Sequence, residues 1–182
     1  MNYQRLEKNL TENITEAQLK LGFDERPISL NYMYTSLGHL LGAEISQNNA
    51  ANALAGFAEY ASGRLGVLSF RDIKDGVCIT VPAEGVRFVH ENTPKNSFLS
   101  DLIELLRHHG ISFSDVERLF LSYSDCVCIE DKSNSGEFDY LLYFADGVPD
   151  DYRYCISVED DLDGSHVSYH RFIPEDYEDF SF

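Results

Sequence analysis

The side chains in this sequence best placed to do chemistry are carboxylates. Glu159, Asp161 and Asp163, with Gly164 sixth, take the first, third and fifth positions of a calcium-loop pattern. The twelfth position, where a bidentate Glu is needed, is His170, and the flanking segments read as strands. The pattern therefore fails, and Asp163-Gly164 reads as a hairpin turn. The acids still have a collective meaning. Alternate loops of an antiparallel meander emerge at the same end of the sheet, so Glu130, Asp131 and Glu137 are expected beside Glu159, Asp160, Asp161 and Asp163. Seven carboxylates on one rim would repel one another, raising their pKa values and favouring a bound cation or a basic partner. Splayed apart in water, the same groups would be ordinary solvated loop acids.

Other reactive side chains point to less. His166 and His170 would make a metal pair on a helix, but on a strand the same spacing is about 13 Å, too far for one ion. His108 and His109 fall at the end of a helix, where its dipole favours positive charge. Cys126 and Cys128 lack the paired C-x-x-C spacing of a zinc knuckle, and no His or helix terminus is placed to activate a thiol, so buried structural cysteines are expected. Phosphate-cradling glycine loops, the G-x-S-x-G elbow and H-E-x-x-H are absent from the sequence. Tyrosines beside carboxylates suit the gripping of Arg and Lys. Most fall within strands, where Tyr is a routine residue, whereas Tyr152, Tyr177 and Phe180 fall in loop or tail and are the better contact candidates.

The charge distribution sharpens this. Residues 124 to 182 hold sixteen Asp and Glu against three Lys and Arg, which places −13 of the chain's −17 there. Phosphate binding needs clustered basic residues, so nucleic acid and anionic membranes are excluded as partners, and a basic protein surface is favoured. With 182 residues, 43% hydrophobic and 13% aromatic, the chain can bury a core and is not a disordered polyanion. Residues 1 to 10 carry charges and no apolar run, and no stretch approaches a membrane span. A cytoplasmic address with reduced thiols is expected.

The elements that must position these groups follow from periodicity. Leu6, Leu10, Ile14, Ala17 and Leu21 predict a helix over 3–21, ended by Gly22. A short strand is expected around 28–33, then helical segments near 37–41 and 46–62. From Gly66 the period becomes two: Val67 to Ile73, Val77 to Val81 and Val86 to His90 read as three strands of a meander. Thr93-Pro94 is expected to open a core helix running to about His109, and Ser114 with Glu117 has capping-box spacing for a second helix. A second meander is expected from strands near 126–130, 138–145, 154–159 and 165–173.

Three N-terminal motifs, Tyr3 to Leu10 (YQRLEKNL), Glu16 to Gly22 (EAQLKLG) and Ser36 to Leu41 (SLGHLL), resemble a family of small bacterial proteins known only as a domain of unknown function. The resemblance implies a bacterial, cytoplasmic, single-domain protein and assigns no catalytic residue.

These readings combine into an α+β domain over 1–173: two antiparallel meanders of about seven strands with helices packed on the sheet, followed by an acidic aromatic tail, 174–182. The expected role is non-enzymatic, binding a basic protein as an inhibitor, immunity factor or mimic does, through Glu130, Asp131, Tyr152, Asp160, Asp161, Asp163, Tyr177 and Phe180. No cofactor is expected. The alternative is a metal-dependent or small-ligand enzyme using the 159–163 carboxylates, with a histidine such as His90. Nothing in the sequence sets the oligomeric state.

Overall fold

The computed structural model describes residues 1–94, 96–134, 136–161 and 164–179, at 160, 161, 164 and 165 for the backbone alone. Contacts divide the chain into two compact units, Met1–Lys95 and Asn96–Phe182. The described residues form seven helices and two separate antiparallel sheets, of three and four strands, so the α+β class and the strand total read from the sequence hold.

In the first unit, α1 (Tyr3–Leu21) buries Leu6, Leu10 and Ile14 completely, as the spacing of four requires of an amphipathic helix. The Asn2 side chain caps its start by accepting the Arg5 N–H, and Gly22 at φ 85° ends it. Strand β1 (Ile28–Met33) leads into α2 (Tyr34–Leu41), α3 (Ala50–Leu65), the hairpin β2 (Ser69–Ile73) and β3 (Gly76–Val81), and α4 (Ala83–Asn92). The sheet order is β1-β3-β2. Its central strand is β3, whose Val77, Cys78, Ile79 and Val81 are all buried, as befits a strand paired on both edges. From α1, Asn9 accepts the Tyr32 hydroxyl of β1 at 2.9 Å, so the polar groups inside this core are matched.

One expected strand is a helix. Val86 to His90 belongs to α4, which buries Val86 and Val89 three apart on one side. Over five residues an alternating pattern fits either period, and here Pro82 at the N-cap with Glu84 in the first turn marks a helix start. The third strand is β1 instead, paired with β3 from Ile28↔Val81 to Met33↔Gly76. Gly85 allows α4 to lie against the end of α3. A Cβ there would run into the Leu65 carbonyl oxygen and come within 2.7 Å of the Val81 side chain. We expect Gly85→Ala to destabilise the protein by about 2 kcal/mol, because backbone has to move. Gly63→Ala, on α3 with nothing within 4 Å, should instead stabilise it by about 0.5–1 kcal/mol. Urea denaturation of the two variants checks both signs.

In the second unit, α5 (Ser97–Leu106) and α6 (Phe113–Tyr123) precede β4 (Val127–Asp131), β5 (Tyr140–Phe144), β6 (Arg153–Asp161), β7 (Gly164–Phe172) and α7 (Pro174–Asp179). The sheet is the expected meander, β4-β5-β6-β7. One face packs on α5 and α6 through aromatic rings. Phe98 of α5 lies 4.7 Å from Phe120, 4.9 Å from Phe144 and 5.6 Å from Tyr154, each edge to face.

Helix ends differ from the expectation by a few residues. Asn96 caps α5, not Thr93-Pro94, because its side chain accepts the Leu99 N–H at 3.1 Å. The capping box of α6 is Ser112 with Asp115 rather than Ser114 with Glu117. The tail forms a helix through Asp179, and Phe180 lies outside the described residues.

Candidate functional site

The opposite face of the four-stranded sheet gathers the chemically richest side chains of the second unit. Side chains alternate between faces along a strand, and cross-strand partners share a face. The register therefore builds rows. One row runs Glu130, Leu141, Cys155, His170 through the pairs Glu130↔Leu141, Leu141↔Cys155 and Cys155↔His170. On one side of it lie Cys128↔Tyr143 and Arg153↔Phe172, and on the other Ser157↔Ser168 and then Glu159↔His166.

Phe138, from the β4–β5 connection, packs with Leu141 and Cys155, and Tyr143, Phe172 and Tyr177 of α7 pack against this cluster. The C-terminal helix thus lies on this face. The Arg153 guanidinium sits 4.0 Å from the Tyr143 ring centroid, and Lys132 pairs with Glu130 at 2.9 Å. That hydrogen bond raises the Lys132 pKa, and burial raises that of the Tyr177 hydroxyl. For the Tyr143 hydroxyl the larger cause of its raised pKa is the hydrogen bond with Cys128, followed by burial.

A cysteine facing a histidine suggests a nucleophile, but burial works against one here. Burial pushes the Cys155 thiol up to about 11, so the thiol is protonated at neutral pH. A thiolate is the reactive form. All four cysteines are free. Cys78 and Cys155 are buried; of the pair expected to be buried, Cys128 is half-buried and Cys126 is exposed, because it precedes β4 instead of lying within it. Among the described residues no group of three or more His, Cys, Asp or Glu is placed to hold a metal. His166 and His170 do lie on a strand, β7. His90, on α4 of the first unit, stacks on Phe23 with ring centroids 4.0 Å apart.

The acidic residues are drawn out along the sheet. Pairing of β5 with β6 stops at Tyr140↔Ile156, where Asp139 takes over and its carboxylate accepts the Val158 N–H at 2.7 Å. Strand β6 continues with β7 alone for five more residues, to Asp161↔Gly164. That is about 16 Å beyond the level of Tyr140, so the 159–161 segment and the Glu130–Asp131 pair share an end of the sheet but not one rim.

Asp131 turns inward on its own loop. Its carboxylate accepts the Ser133 hydroxyl at 2.6 Å and the Ser133 N–H at 3.0 Å, which holds its pKa below the ordinary carboxylate value. The Asp160 and Asp161 backbones lie in β6, while their side chains, and Asp163 altogether, lie outside what is described. Gly164 is the first residue of β7 rather than part of the turn. Tyr152, expected in a contact loop, is only 3% exposed and has the Arg171 guanidinium 4.2 Å from its ring centroid. Its ring is thus used inside the protein. Tyr177 and Glu130 do share the sheet face.

A cavity of about 320 Å³ opens on this face beside Cys155, walled by Phe138, Phe172 and His170, with Ser157, Ser168 and Glu137 among its polar lining. Phe138, Phe172 and the serine pair carry no signal of this site in the sequence, since their meeting depends on register. No helix among the described residues is long and apolar enough to cross a membrane. No curated protein and no solved structure matches the chain. The family model described as a domain of unknown function, E. rectale gene description (DUF3877), matches residues 3–181, as the N-terminal motifs suggested, and the chain belongs to that family.

Proposed function

We propose that this protein is a non-enzymatic interaction protein of the cytoplasm whose acidic C-terminal unit binds a basic protein surface, in the manner of an inhibitor, immunity factor or mimic. The observation that carries the reading is the charge asymmetry between the units. Residues 96–182 hold twenty Asp and Glu against five Lys and Arg, whereas residues 1–95 hold eleven against nine. Five cations cannot neutralise twenty carboxylates, whatever the internal pairing. The folded unit therefore stores repulsion that a positive partner relieves, and its field speeds the approach of such a partner. Burial that keeps the Cys155 thiol protonated supports contact over thiol catalysis on the sheet face.

The test is capture on the immobilised full chain from native lysate at 50 mM salt, followed by purification of the retained protein and rate measurements on the pure pair. We expect one stoichiometric basic partner whose association rate falls by about tenfold or more as salt rises to 500 mM. The triple change of Asp160, Asp161 and Asp163 to Asn should slow association further. An association rate indifferent to salt would remove the reading.

A further inference from the structure

The cavity beside Cys155 has a composition that selects its occupant. Ser157 and Ser168 face each other across β6 and β7, and both line it. The His170 and Phe172 rings lie with centroids 4.6 Å apart on one side, and Phe138 contributes a further aromatic wall. Glu137 is exposed at the opening. No Lys or Arg lines the space. On the same face, Lys132 pairs with Glu130 and Arg153 lies over the Tyr143 ring.

Flat aromatic walls receive a planar cation, a carboxylate at the mouth accepts two N–H groups from it, and hydroxyl oxygens accept others. A neutral thiol below suits the apolar stem of a long side chain. An anionic ligand would enter against Glu137 within a unit carrying fifteen more acids than bases. We propose that this cavity is the anchor site for an arginine side chain of the basic partner, with the guanidinium between the aromatic walls and against Glu137. The proposal rests on the basic-partner reading and gives it a location.

The experiment titrates the ¹⁵N-labelled full chain with N-acetyl-arginine amide at 20 mM salt, with the lysine and citrulline analogues in parallel, and follows amide chemical shifts. Saturable shifts confined to residues 137–138, 155–157 and 168–172 are expected with arginine. The lysine analogue should bind about fivefold more weakly, and citrulline, which has the shape without the charge, should give no saturable shift. Two variants locate the effect: Glu137→Gln, at an exposed position, should weaken arginine binding about fivefold, and Ser157→Leu, which fills the cavity, should abolish it. Equal binding of citrulline, or an unchanged affinity in Glu137→Gln, overturns the proposal.

An arginine-rich dodecapeptide separates the two levels of the argument. If it binds while its shifts avoid the cavity, the anchor assignment falls and the basic-partner reading stands. If it fails to bind at 20 mM salt, both fall.

Discussion

Phe98→Ala should cost about 3–5 kcal/mol of stability, the largest loss expected from a single side chain in the second unit. Phe98 is 0% exposed, and its ring meets Phe120, Tyr123, Phe144 and Tyr154, all with ring centroids within 5.6 Å. These partners come from α6, β5 and β6, so one side chain joins three elements that are separate in sequence. Truncation removes the buried area and leaves a void that rings from three directions cannot close together, and edge-to-face contacts are lost in addition. Hydrogen exchange at the β5 and β6 amides, with urea denaturation of the same variant, measures the loss. A cost below about 1.5 kcal/mol would mean that the core repacks, and that this ring is not its centre.

Asp150→Ala should remove about 2–4 kcal/mol by a different route, because it orphans buried donors rather than opening a void. The Asp150 carboxylate accepts the Tyr152 N–H at 3.2 Å through Oδ1, and the Tyr154 hydroxyl at 2.8 Å and Asn96 Nδ2 at 3.2 Å through Oδ2. Asn96 is also the cap of α5, so the carboxylate ties the β5–β6 connection to a helix start. Burial raises the Asp150 pKa above its ordinary 3.8, and the three hydrogen bonds pull against that without overcoming it.

The sign of the pH effect follows. The folded protein holds this proton more tightly than the unfolded chain. The cost of the ionised carboxylate is fully present above the raised folded pKa, and it is relieved as pH falls to 3.8 and below. Asp150→Asn has no such titration. The stability of the wild type relative to Asp150→Asn should therefore increase as pH falls through that window. A difference that stays constant or shrinks would show that burial does not dominate.

Much of this fold was legible because it is written locally. The α1 helix announced itself through four-residue leucine spacing and Gly22, and the four strands of the second sheet through short alternating runs separated by turn residues. What escaped was set by distant partners. Strand β1 pairs with β3 about fifty residues later, and that pairing releases Val86 to His90 into a helix. The site suffered from a subtler error. A turn centred on Asp163-Gly164 would set Cys155 opposite Phe172, whereas the observed register sets it opposite His170. A slip of two residues keeps every side chain on its face and changes every neighbour, so the face could be read but the cavity could not. Tyr152 and Asp150 were hidden for a related reason: a loop position says nothing of the Arg171 and Tyr154 side chains that meet them.

The length of β6 and β7 beyond β5 has a consequence for how copies of this protein avoid one another. Beyond Val158, whose N–H is taken by Asp139, the two-stranded ribbon has no third strand beside it among the described residues and offers an edge that another chain could extend. The strand includes Glu159, Asp160 and Asp161 in its sequence, so two copies pairing there bring acidic residues together at strand spacing. The acidity that would attract a basic partner thus also works as a solubility guard, and acid or high salt, by removing the charge or screening it, would turn the same ribbon into a seam for self-association.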